Sequence, residues 1–251
     1  MGERLYIHRH SVVHQLPSHV KILAALFFIF VSIATPISTW GAFIGYLIVI
    51  LITAKSAKIP FLTLGKRALI EIPFIFFAIL MPFFGKGEQI NVGPFDLYKD
   101  GIEAALSIVA KGTIGVLTAV ILSTSTTARE ILRGLERLKL PRMMVQIATF
   151  MLRYVNVISD EMDRMKVARE SRGFEATGIK HWKILATVAA SLFIRSYERG
   201  ERIHLAMISR GYVGELPHEE SRHVPTSQWL TALSAPAVAL LILLITTGLD
   251  R

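Results

Sequence analysis

Apolar and polar positions along this chain separate into long blocks, and the blocks predict its elements. Residues 20–54 are almost wholly apolar, broken only by Thr35-Pro36-Ile37-Ser38-Thr39-Trp40-Gly41. A helix crossing the hydrocarbon core of a bilayer needs about 20 residues. The block therefore predicts two short or tilted spans joined by a tight turn, with Trp40 as an interfacial anchor. A third apolar run covers 68–84, interrupted by Pro73 and Pro82, a fourth covers 104–123 and a fifth 229–249. Five spanning helices follow from the pattern.

Between the fourth and fifth runs the period changes. Thr127 and Glu130 form a capping box, and Ile131, Leu132, Leu135 and Leu138 then mark one face of a short amphipathic helix. Pro141 suits the first position of a following helix. Met144, Ile147, Met151, Tyr154, Ile158, Met162 and Met165 recur at three- and four-residue steps, a continuous stripe ending near Gly173. Such a stripe is packing surface, and one rich in methionine suits an interface that shifts. A partner helix is expected from near Ile179. Its apolar stretch, 184–194, is too short to span a bilayer alone and predicts a half-embedded helix. Pro217 and Pro225 bracket a polar connector to the last span. The expected division is 1–126 for the first four membrane helices, 127–226 for a cytoplasmic helical module and 227–251 for the last span.

Within that module one phrase is written twice, 38 positions apart. The first copy is Asp163-Arg164, Ala168, then Ser171-Arg172-Gly173-Phe174. The second is Glu201-Arg202, Ala206, then Ser209-Arg210-Gly211-Tyr212. Each closes a long helical segment, and glycine at such a stop accepts a positive φ without a Cβ clash. A single copy is an ordinary helix end, with a cation at the negative end of the dipole. Two copies on consecutive helices read as a pair of presented cations aimed at acidic grooves of a partner.

Charge orients the blocks. The net charge of +9 accompanies 52% hydrophobic residues, a combination that points to a polytopic membrane protein. Lys55, Lys58, Lys66 and Arg67 are expected in a short cytoplasmic loop, and residues 127–226 carry 17 basic against 12 acidic residues. The segment 85–103 lacks a basic bias and is expected to face outward. The N-terminus is then cytoplasmic and the C-terminus external, in a multi-pass protein of a bacterial inner membrane without a cleavable signal. Glu71 is expected near a helix start, where an anion is favoured. Lys111 lies inside the fourth run, either as a functional charge or as one that snorkels or pairs within the bundle.

The chemistry on offer is narrow. Cysteine is absent, which excludes disulfides, thiolate metal sites and cysteine nucleophiles. No G-x-x-x-x-G-K-[ST], H-E-x-x-H or G-x-S-x-G sequence occurs. His8, His10, His14 and His19 could together serve a divalent metal, but their spacing makes no tight chelate and an ordinary juxtamembrane segment explains them. His181, His204, His218 and His223 are scattered. The basic balance is explained by positive-inside bias, without nucleic acid.

The two Ser-Arg-Gly endings, with Asp160-Glu161-Met162-Asp163-Arg164-Met165 and 192–202 behind them, resemble the paired Ala-Arg-Gly signatures of the transmembrane T component of energy-coupling factor transporters, in particular the cobalt-type, CbiQ-like subfamily. Serine stands at 171 and 209 where the family has alanine, and it is small enough to keep the cap packed. The resemblance implies an all-α polytopic membrane fold with long cytoplasmic coupling helices and no catalytic residues. It implies that Ser171, Arg172, Gly173, Ser209, Arg210 and Gly211 contact a pair of cytoplasmic ABC ATPase subunits. Asp163, Arg164, Ala168, Glu201, Arg202 and Ala206 would support them. ATP and magnesium would bind the ATPases, with no cofactor or metal in this chain, and a separate membrane subunit would capture the substrate. Cobalt is the implied cargo, with nickel or a vitamin as alternatives. A membrane-embedded metalloenzyme built on the N-terminal histidines, Glu71 and Lys111, and a non-transporting anchor, are readings from other classes.

Overall fold

A computed structural model describes residues 6, 7, 9, 11–84, 89–92, 95–174, 181–214 and 224–249. His8, His10, Pro217, His218 and His223 lie outside the described residues. The described chain is helical apart from one hairpin. In order it forms α1 (Val12–Gln15), α2 (Ser18–Ala34), α3 (Trp40–Ser56), α4 (Phe61–Ala68), a 3-10 turn (Leu69–Glu71) and α5 (Ile72–Phe84). Strands β1 (Gln89–Val92) and β2 (Phe95–Tyr98) follow, then α6 (Lys99–Ser125), α7 (Ala128–Arg137), α8 (Arg142–Glu170), α9 (Trp182–Ile208) and α10 (Thr226–Leu249). This is the all-α polytopic membrane architecture expected.

Among the described residues three helical stretches are long and apolar enough to cross a membrane: Phe61–Phe84, Lys99–Ser125 and Thr226–Gly248. The shorter apolar helices α2 and α3 have 17 residues each, at the lower limit for a span. Several expected boundaries move. The third span begins at Phe61, so Lys66 and Arg67 belong to α4 and the basic loop shrinks to 57–60. Glu71 consequently lies mid-span, in the 3-10 turn. Pro73 accounts for that turn: its ring opposes the Leu69 carbonyl and it has no N–H to donate. The segment 85–103 is no simple loop. Gln89 pairs with Tyr98 and Val92 with Phe95 in an antiparallel hairpin, and α6 starts directly after it, making Lys111 its thirteenth residue.

The chain divides into two compact units, Leu138–Ser221 and the remainder, Gly2–Arg137 with Arg222–Arg251. In the larger unit the core is formed by Phe28 and Val31 of α2, Phe43, Tyr46 and Ile50 of α3, Ile114, Leu117, Val120 and Ile121 of α6, and Ala239 of α10. Several polar atoms near it are paired, while Ser32 Oγ finds no hydrogen-bond partner among the described residues. The Thr35 and Tyr46 hydroxyls lie 2.8 Å apart, and the Thr113 hydroxyl lies 3.1 Å from each Glu71 oxygen. Lys111 Nζ donates to the Ile33 carbonyl at 2.9 Å. Glycine sets the closest approaches. A Cβ on Gly101 would stand 2.6 Å from the Met81 carbonyl oxygen, so α5 and α6 pack backbone to backbone. The amphipathic helix α7 is part of this unit. A Cβ on Gly134 would lie 2.9 Å from His19 N, Ile22 Cδ1 and Ser18 Oγ, which brings α7 hard against the start of α2.

The smaller unit contains α8 and α9. Pro141 stands immediately before α8 as its N-cap rather than inside it, and α9 starts at Trp182.

Candidate functional site

The duplicated phrase becomes a duplicated structure. After α8 the Gly173 N–H donates to Glu170 O at 2.9 Å and the Phe174 N–H to Arg169 O at 3.1 Å. After α9 the Gly211 N–H donates to Ile208 O at 2.9 Å and the Tyr212 N–H to Met207 O at 3.0 Å. Both are Schellman caps, with the 5→2 and 6→1 bonds closing on equivalent atoms. The glycines hold φ +74° and +82°, the left-handed conformation that other residues adopt at a cost. The serines add the same third bond in each copy: Ser171 Oγ donates to Ala168 O at 3.1 Å, and Ser209 Oγ to Ala206 O at 2.9 Å. In each copy the hydroxyl reaches the backbone carbonyl three residues back.

Each cap presents one arginine. Arg172 and Arg210 are exposed, and among the described residues neither has an ion-pair partner. Of the supporting acids, Asp163 and Glu201 are exposed and make no ion pair among the described residues. Arg164 pairs instead with Glu161 at 2.7 Å, and Arg202 lines the groove between the helices. The acid-Arg steps of the two copies are therefore not equivalent, unlike the caps.

Contacts between α8 and α9 fix their direction. Phe174 and His181 meet edge to face, centroids 5.2 Å apart. Arg195 Nη1 donates to Glu161 Oε1 at 2.7 Å, and Gln146 Nε2 donates to the Tyr212 hydroxyl at 2.8 Å. Positions rising along α8 thus meet positions falling along α9, so the helices are antiparallel. By that register Arg210 lies beside the start of α8, while Arg172 lies at its end. About 24 residues of helix separate them, roughly 36 Å at 1.5 Å per residue. The two cations occupy opposite ends of one stiff pair.

Sequence reasoning missed the central strut. Glu161 takes bonds from Arg164 and Arg195 together, and those guanidiniums hold its carboxyl below the ordinary carboxylate range. It also missed Arg169, whose Nε and Nη1 are enclosed and find no hydrogen-bond partner among the described residues. The pairing of Gln146 with Tyr212 was equally out of reach, since 66 positions separate them. The methionine stripe of α8 is open: Met144, Met151 and Met162 are each more than half exposed. No cluster of three or more metal-ligating side chains occurs among the described residues.

Comparison with known proteins decides the family, because residues 9–222 match the model of the cobalt transport protein family, CbiQ. The chain belongs to the CbiQ family. An uncharacterized protein of Methanocaldococcus jannaschii is 32% identical over 67% of this chain and 63% of its own length. A putative fused cobalt transport protein CbiMQ of Methanocorpusculum labreanum is 28% identical over 94% of this chain and 40% of its own. The energy-coupling factor transporter transmembrane protein EcfT of Bacillus subtilis is 25% identical over 83% of each. The chain thus spans less than two thirds of the first of these relatives and less than half of the fused one.

Proposed function

We propose that this chain is the coupling T component of an ATP-driven energy-coupling factor importer. The observation that carries the reading is the matched pair of Schellman caps, each presenting one exposed arginine, at opposite ends of an antiparallel helix pair. Such a pair suits two equivalent acidic grooves, as a dimer of ABC ATPases would offer. Arg172 and Arg210 enter the grooves, Gly173 and Gly211 let the helix ends approach closely, and the serines keep each cap closed. The Glu161–Arg195 strut transmits displacement at one tip to the other helix. ATP and magnesium are held by the ATPases, and this chain performs no catalysis. A separate membrane subunit captures the cargo. Cobalt is the cargo we propose, on the description of the matching family and the name of the fused relative. The chain sits in the plasma membrane with its N-terminus cytoplasmic, as its basic loops favour.

The test is co-purification of the full chain with candidate ATPase subunits, wild type against Arg172→Ala with Arg210→Ala. Loss of a buried charge-assisted contact costs about 2–5 kcal/mol, so each single substitution weakens association thirty-fold or more and the double variant abolishes it. Full uptake and undiminished ATPase recovery with the double variant refute the assignment.

A further inference from the structure

A half-open cavity of about 440 Å³ is walled by α1, α2, α3, α6 and α10 of the membrane unit, with the exposed Val12, Ile52 and Val238 along it. Its walls are in register. They run over positions 21–28 of α2, 49–56 of α3, 118–125 of α6 and 231–238 of α10, each two helical turns, or about 10 Å. α2 and α10 begin at one end of the cavity, and α3 and α6 finish there. Lys21, Ser56 and Ser125 lie at that end, and Phe28, Val49 and Thr118 at the other.

Five of the hydroxyls along the walls have their protons committed to backbone. Thr53, Thr118, Ser125, Thr231 and Ser234 each donate to a carbonyl of their own helix. A lining so largely apolar takes hydrocarbon. Among the described residues Lys21 is the one charged residue in the lining. It is buried, and Nζ donates to Ser125 O, at the C-terminus of α6, at 2.9 Å. An ammonium has three donors, and this bond uses one. Among the described residues no carboxylate pairs with Lys21. Glu130, which acts on it electrostatically, is itself engaged by the Thr127 N–H at 2.8 Å.

We propose that the cavity holds an acyl chain of an anionic phospholipid, with the phosphate on Lys21. The apolar lining and the cation at the end where α2 and α10 begin match the part of a lipid tail nearest its headgroup, and lysine binds phosphate as a point charge. Bound lipid fills a gap among four helices of the unit. Under the orientation proposed above it comes from the inner leaflet, but its capture does not depend on that orientation or on coupling to an ATPase.

The test uses the full chain in mild detergent, exchanged against micelles with equal phosphatidylglycerol and phosphatidylcholine of identical tails. Retained lipid is counted by native mass spectrometry. Wild type is expected to keep one phospholipid, with phosphatidylglycerol favoured about five-fold. Ala25→Phe, which fills the cavity from α2, is expected to lose it while unfolding at no lower temperature. Lys21→Gln is expected to keep a lipid without preference. A wild type that retains no lipid, or both equally, overturns the proposal. So does Ala25→Phe protein that retains as much as wild type. ATPase recovery measured on the same samples separates failure here from failure of the coupling reading.

Discussion

Replacing Gly211 isolates the energy of one cap. The residue holds φ +82°, and a Cβ built on it meets no atom within 4 Å. The cost of Gly211→Ala is therefore conformational rather than steric, about 1–2 kcal/mol for a side chain in the left-handed region. That shifts the balance between closed and open cap by about 5- to 30-fold. The closed cap is defined by the Gly211 and Tyr212 amides on Ile208 O and Met207 O, and their hydrogen exchange should accelerate by that factor. Asparagine tolerates the conformation and should cost less, whereas valine is β-branched and should cost more. Helix content away from the end should stay unchanged, because the cap is local and exposed. Affinity for an ATPase requiring the closed cap falls with its population. Unchanged amide protection in Gly211→Ala, or asparagine more harmful than valine, refutes the reasoning.

Other perturbations test other joints. Because Arg164 and Arg195 lower the Glu161 pKa, the strut is complete above the ordinary carboxylate value, about 4.3, and is lost as pH falls through the lowered one. Spin labels on α8 and α9 should therefore report a constant distance from neutral pH to about 4.3 and loosening below, with Arg195→Met loose throughout. Gly134→Ala places a Cβ 2.9 Å from the His19 backbone nitrogen, and overpacking there should destabilise the membrane unit by about 1–3 kcal/mol, read as a lower unfolding temperature. Thr113→Val strips the donor from both Glu71 oxygens and should cost about 1–3 kcal/mol in unfolding titrations. Adding Glu71→Leu should recover much of that loss.

Local chemistry made much of this molecule legible without a structure. Runs of apolar residues announced the spans, because a bilayer imposes length and hydropathy on each segment separately. The capping box is present, with the Thr127 N–H on Glu130 Oε2 at 2.8 Å and the Glu130 N–H on Thr127 Oγ1 at 3.3 Å. The glycine caps at 173 and 211 were legible for the same reason: every bond in them closes within five residues. Boundaries were harder. Lys66 and Arg67 look like a loop by charge, yet an amphipathic turn carries them in α4, and Glu71 moved to mid-span as a result.

What tertiary structure alone decided are pairings between residues far apart in the chain. Lys21 reaches Ser125 across 104 positions, Gln146 reaches Tyr212 across 66, Thr113 reaches Glu71 across 42, and Arg195 reaches Glu161 across 34. No periodicity encodes such partners, because they depend on which helix faces are buried together and in which direction the helices run. The sequence by itself determined two identical arginine-bearing helix ends. Only the packing of α8 against α9 determined that they lie at opposite ends of one rod, since antiparallel order follows from contacts along both helices and not from either helix's own residues.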